Sequence, residues 1–119
     1  MTGDLAGAAA RLEAERERVL AQLAGLRADF AGIVEAVKAS NADDEHDPEG
    51  STIAFERSQV GAHIDQAQEH LKAIEAALDR VRAGTYGVCE RCGAPIPEER
   101  LEARPTATTC VACASRASR

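Results

Sequence analysis

A chain of 119 residues with no Trp, one Tyr and two Phe cannot fill a large packed core, so it allows one compact domain or a long element plus a very small one. Its formal charge of −6 is uneven: residues 1–83 carry nine Lys or Arg against sixteen Asp or Glu, and residues 84–119 five against four. An acidic chain without a basic stripe is a poor DNA binder, because Lys and Arg neutralising phosphates supply most non-specific affinity.

No apolar run reaches the length of a signal peptide or a membrane span, so the expectation is a soluble, cytoplasmic protein with no membrane partner.

From Leu5 to Ser40 apolar residues recur every seven positions. One seam is Leu5, Leu12, Val19, Leu26 and Ile33; the other is Ala9, Leu23, Phe30 and Val37, interrupted by Arg16. Alternating steps of three and four make one narrow helical stripe. The pattern predicts a helix of roughly 35 residues, about 50 Å long. A second repeat runs from Ile53 to Val81, with seams Ile53, Val60, Ala67, Ile74, Val81 and Ile64, Leu71, Leu78, interrupted by Arg57. Gly84 follows as a C-terminal glycine should. Arg16 and Arg57 can snorkel, or pair with nearby acids such as Glu13 and Asp65.

Between the repeats lies 41–52, NADDEHDPEGST, whose Asn, Asp, Pro and Gly are turn residues. Asp47-Pro48 offers an N-cap and a first-turn proline for the second helix, with Ser51 as an alternative cap. A short link between two stripes of similar length predicts an antiparallel hairpin. The alternative is a pair of helices that dimerise with another chain.

The hairpin tip carries acids in one sense only. Asp43, Asp44, Glu45, Asp47, Glu49 and Glu56 fall within fourteen residues, and no Lys or Arg lies between Lys38 and Arg57. Polar turns explain part of this. Their mutual repulsion would be relieved by a basic partner surface or a metal ion. The ligand spacing of an EF-hand is missing.

From Gly84 the heptads stop, which divides the chain into a hairpin, 1–83, and a small module, 84–119. The module reads CERCGAPIPEERLEARPTATTCVAC, a C-x2-C-x17-C-x2-C pattern holding all four cysteines of the chain. Two CxxC turns aim four thiolates at one point, the tetrahedral set of a closed structural zinc site with Zn–S bonds of about 2.3 Å. The expected ligands are Cys89, Cys92, Cys110 and Cys113, for one structural Zn²⁺. A redox CxxC needs a βαβ scaffold, and two disulfides need an oxidising compartment. Catalytic zinc needs an open position, which four thiolates do not leave. So few apolar residues cannot fold such a module alone, and metal binding becomes its folding energy. Gly93 suits the left-handed residue of a knuckle. Pro97 can start a short helix through Leu101, and Thr109 can cap a last helix carrying Cys110 and Cys113.

His63 and His70 flank the apolar seam of the second helix and read as surface residues. His46 reads as a solvated loop residue. Neither a nucleophile elbow nor a phosphate or dinucleotide loop is present, so no enzymatic activity is expected.

The stretch TYGVCERCGAPIPEERLEARPTATTCVAC, with its YGxCxxCG, I-P-x-x-R-L and ARPTATxC-x2-C parts, resembles the zinc-finger signature of the DksA/TraR family of bacterial transcription regulators. The resemblance covers about the last third of the chain, and an acid-tipped hairpin agrees with the family's architecture over the rest. It implies a monomer that binds RNA polymerase and inserts its coiled coil into the secondary channel. The tip would act near the catalytic centre, without sequence-specific DNA contact. The effector residues it suggests are Asp44, Asp47 and Glu49.

The family's tip motif is Asp-x-x-Asp-x-Ala. This chain has Asp44-x-x-Asp47-x-Glu49, whereas an ungapped count back from the cysteines gives His46-x-x-Glu49-x-Ser51. The rival reading is a zinc-capped coiled-coil adaptor that mediates protein–protein interaction.

The same count puts Gln66, Ala73 and Ala114 where members responsive to guanosine tetraphosphate carry basic residues. A polyphosphate needs Arg or Lys there. Calorimetric titration of that nucleotide into the complex with polymerase should therefore show weak or no binding at this site; micromolar binding would refute the expectation.

Overall fold

The structure is a computed structural model that describes residues 5–43 and 48–117, with side chains described for 5–39 and 52–116. It is mainly helical: α1 (Leu5–Asp43), α2 (Pro48–Ala83), α3 (Glu98–Ala103) and α4 (Val111–Ala117) follow in order. The two long helices pack as a hairpin, and no strand forms among the described residues. No helix among them is long and apolar enough to cross a membrane.

Both heptad segments are helical, and both run further than their repeats. α1 continues past Ser40 to Asp43, and α2 starts at Pro48, the first-turn proline that the sequence offered, ahead of the repeat's first residue Ile53. Proline is tolerated at a first helical position because its missing N–H would lack a helical partner there anyway. Asp44, Glu45, His46 and Asp47 lie outside the described residues, as do the side chains of Asp43, Glu49 and Ser51.

The chain packs as two compact units: Met1–Glu17 with Lys72–Arg119, and Arg18–Leu71. In the second unit, Val19, Leu23 and Ala67 are buried. Leu26, Phe30, Ile33, Val37, Ile53, Val60, Ile64 and Leu71 are half-buried. This is the partial cover that a two-helix layer can give. A Cβ added to Gly61 would sit 3.8 Å from the Phe30 ring, an ordinary contact, so the ring does not require glycine there. Phe55 stays 63% exposed.

In the first unit the core is tighter. Leu12, Ile74 and Ala77 are fully buried, with Ala8 and Leu78 nearly so. Ala8 and Ala77 belong to neither heptad seam, whereas Leu5, which does, is 37% exposed. A heptad pattern reports only the face turned to one partner helix.

One ion-pair expectation changes here. Arg16 does not turn to Glu13 on its own helix: its Nη2 lies 3.5 Å from Glu75 Oε2 on α2. Both side chains are substantially exposed, so this contact adds little stability. Arg57 is exposed.

α2 ends as Gly84 suggested. Gly84 has φ of 79°, its N–H donates to Val81 O at 3.1 Å, and the Thr85 N–H donates to Arg80 O at 2.9 Å. This pair of bonds is a Schellman motif, which closes the last carbonyls of a helix.

Truncating Ile74, fully buried at the hairpin base, should cost about 2–4 kcal/mol as Ile74→Ala. Phe55→Ala, at an exposed position, should change stability by about 0.5 kcal/mol or less. Urea unfolding of the two variants measures the contrast; equal losses would contradict the packing described.

Candidate metal centre

After α2 the chain folds back on itself around the first CxxC. Val88 and Pro95 form an isolated antiparallel bridge. The Ile96 N–H donates to Gly87 O at 2.7 Å and the Cys89 N–H to Ala94 O at 2.8 Å. The turn at its end needs a left-handed residue: Gly93 has φ of 77°, and its N–H reaches Cys89 O at 2.9 Å. Any residue with a Cβ would be strained there.

The second CxxC arrives on a separate support. Pro97 lies just outside α3 and not within it, with φ −56° and ψ 140°. Its carbonyl accepts the Arg100 and Leu101 N–H groups at 3.0 and 3.1 Å, which starts the helix, and Leu101 is buried on its inner side. From there, three bonds hold the return segment. Tyr86 Oη donates to Pro105 O at 2.8 Å, Arg100 Nε to Thr109 O at 2.8 Å, and the Glu90 N–H to Thr108 O at 2.9 Å. The last of these ties the residue after Cys89 to the stretch of chain leading into Cys110.

Thr109 is not the cap of the last helix. Its carbonyl is taken by Arg100, and α4 begins at Val111. Cys110 precedes the helix, and its carbonyl accepts the Ala114 N–H at 2.9 Å, so Cys110 holds the N-cap position. This puts Cys110 on the entering turn and Cys113 on the first turn of α4. Their sulfurs face the knuckle between Val88 and Pro95.

The result is a cluster of four sulfurs, from Cys89, Cys92, Cys110 and Cys113, all within 4.8 Å of one another. None is in a disulfide. Cys92 Sγ and Cys110 Sγ are 3.8 Å apart. A tetrahedral Zn–S₄ centre with bonds of about 2.3 Å has sulfurs about 3.8 Å apart, so that spacing fits the metal. Cys89 and Cys113 are buried, Cys110 is half-buried and Cys92 is exposed. The arrangement can hold one metal ion, and four sulfurs around it would leave no position for a substrate.

The thiol chemistry points the same way. Cys89 is lowered to about 6 by backbone N–H groups, that of Cys110 foremost and those of Cys92 and Arg91 behind it, against the opposing effect of burial. Cys110 is lowered, first by the Cys113 N–H and then by hydrogen bonding with the Cys113 side chain. Cys92 is affected most by the Ala94 N–H, which lowers it. Its hydrogen bonds to the sulfurs of Cys89 and Cys113, with burial, outweigh that and raise it to about 11. Opposed shifts of this kind arise because four sulfurs cannot all carry negative charge side by side. A bound divalent cation removes that conflict.

One charged side chain also meets the cluster. Arg116 Nη2 donates to Cys113 Sγ at 3.2 Å, and the Arg116 guanidinium is itself held in its charged form, chiefly by that bond. The sequence pattern did not single out Arg116. Its signal was the i, i+3 spacing from Cys113 on one helix face. Of the other residues singled out, His63 is exposed and His70 half-buried; neither belongs to the sulfur cluster. Gln66 is exposed, and Ala73 and Ala114 are half-buried. Asp44 and Asp47 lie outside the described residues, and so does the Glu49 side chain.

Residues 84–119 match the family model of the prokaryotic dksA/traR C4-type zinc finger. The chain is 38% identical to general stress protein 16O of Bacillus subtilis over 89 residues, which cover 72% of this chain and 53% of that protein. It is 45% identical to the RNA polymerase-binding transcription factor DksA of Escherichia coli over 49 residues, 41% of this chain and 32% of that one. The fold is similar to that of transcription factor DksA2 from Pseudomonas aeruginosa, with a TM-score of 0.57, 27% identity, and 92% of this chain and 84% of that one covered. The matched stretches span about half or less of the length of such curated relatives, from 28% to 53%.

A strong chelator should strip the metal and abolish the fold of residues 84–117, since metal binding here is folding energy. Most of the α1 and α2 helicity should remain. Metal content and the far-ultraviolet dichroism before and after chelation, with residue-level amide exchange, read the outcome. Unchanged protection in 84–117 after metal loss would contradict it.

Proposed function

We propose that the chain is a member of the DksA/TraR family, a reading supported by the zinc-finger match of residues 84–119 and by its similarity to DksA proteins, and that it is a non-enzymatic transcription regulator that binds RNA polymerase through the secondary channel. The observation that carries this reading is the four-sulfur cluster, set in a segment that matches the family's zinc finger and joined to a two-helix hairpin. Cys89, Cys92, Cys110 and Cys113 hold one structural Zn²⁺. The hairpin of 1–83 is the arm, with its acidic tip at 41–52, and the module of 84–119 is its base.

The physical basis is charge and reach. A chain with a net charge of −6 is repelled by DNA phosphates and attracted to basic protein surfaces. Acids at the end of a narrow helical arm can enter a channel that a globular protein cannot. There, Asp44, Asp47 and Glu49 perturb basic groups or Mg²⁺ near the catalytic centre, where low dielectric strengthens charge interactions. The protein acts as a monomer, since each hairpin buries its own seam. The positions of Gln66, Ala73 and Ala114 carry no cation, which supports a weak response to guanosine tetraphosphate.

The rival reading, a zinc-capped coiled-coil adaptor, draws on Phe55, a large aromatic left 63% exposed on α2. A concentration-dependent dimer in sedimentation, with RNA polymerase not retained, would favour it.

Replacing Asp44, Asp47 and Glu49 together by Ala should preserve the fold, the metal and co-purification with RNA polymerase. It should abolish the effect on transcription from purified components. A variant that still regulates as the parent does would defeat the tip assignment while leaving polymerase binding intact.

A further inference from the structure

We propose that Arg116 is a positioning residue of the metal centre, whose guanidinium holds the Cys113 sulfur and offsets part of the negative charge of a four-thiolate zinc site. The proposal rests on the zinc reading above and deepens it.

Three observations carry it. Arg116 Nη2 lies 3.2 Å from Cys113 Sγ, within reach for an N–H···S bond. The two residues stand three apart on α4 (Val111–Ala117), so the helix itself brings the guanidinium over the sulfur. Cys113 is 2% exposed, so water cannot easily supply the same donor. Arg100, the other arginine fixed in this module, serves a different purpose: its Nε goes to the Thr109 carbonyl and steadies the backbone before Cys110.

The chemistry gives the contact a purpose. A dication bound by four thiolates has a net charge of about −2 by ligand count. That charge makes the sulfurs basic and nucleophilic, and so open to protonation or attack by electrophiles with loss of the metal. At Cys113 a full positive charge offsets this from a side chain 3.2 Å away. A charge-assisted bond draws electron density from the sulfur lone pair and fixes the direction of the ligand, as outer-shell partners of metal ligands do.

The test uses the full chain loaded with zinc, as the parent, Arg116→Met and Arg116→Lys. Zinc content is measured first. Competition with a chromophoric chelator then gives affinity, and N-ethylmaleimide labelling with peptide mapping gives the order in which the cysteines react. The expected result for R116M is about tenfold weaker zinc binding with Cys113 alkylated ahead of the other three, and R116K in between. Should R116M fail to fold, R116K carries the comparison, because it keeps the charge but loses the forked donor. Unchanged affinity and labelling order in the variants would overturn the proposal. Equal acceleration of all four cysteines would overturn it too, since that marks a general loosening of α4. A parent chain that takes up no zinc would defeat the metal reading itself, an outcome separate from either.

Discussion

The convergence of four sulfurs on one point is the constraint on which the base of this molecule depends. Bringing Cys89, Cys92, Cys110 and Cys113 within 4.8 Å of one another is unfavourable for thiolates alone, because like charges repel at that distance. A divalent cation turns the same closeness into the strongest interaction in the module. The apolar content there is small: among the described residues, Tyr86, Ile96 and Leu101 are the buried ones apart from cysteines. A core of this size cannot offset the conformational entropy of more than thirty residues. The metal therefore does the work of a core, and the hydrogen bonds of Tyr86, Glu90 and Arg100 set where the two knuckles meet.

A clamp of this kind suits what is attached to it. A two-helix layer buries only one stripe of each helix, and most of its seam residues beyond the first unit are half-buried. Such a layer gains little from packing alone. At the hairpin base, Leu12, Ile74 and Ala77 are fully covered. The best-packed part of the hairpin is thus the part in the same compact unit as the sulfur cluster. Function is proposed to reside in the acids between the helices.

Much of this was legible in the residues. The CxxC pairs located the sulfur cluster because ligand spacing is a local property of sequence. Gly84 and Gly93 were legible because a positive φ admits few other residues. The heptads gave the two helices, since a sustained apolar period of seven matches the turn of a packed helix and not the alternation of a strand. What escaped lay off the heptad seams, in a long-range pairing, or in competition for one group. Ala8 and Ala77 are buried although neither lies on a seam, and a two-helix repeat marks only its own seam positions. Arg16 turned to Glu75 because an interhelical partner fifty-nine residues away leaves no mark in local spacing. Thr109 looked like a cap by residue type, yet Arg100 takes its carbonyl and α4 begins one residue later than a Thr109 cap requires. Arg116 was hidden because arginine at a helix end has many ordinary uses.

The claim beneath all of this is that one zinc ion sits among four sulfurs and nothing else. X-ray absorption at the zinc edge, on the full chain as purified, measures that shell directly. The account predicts four sulfur neighbours at about 2.3 Å with no nitrogen or oxygen. A shell with fewer sulfurs completed by nitrogen or oxygen, or a preparation in which the cysteines are paired as disulfides and zinc is absent, would contradict it.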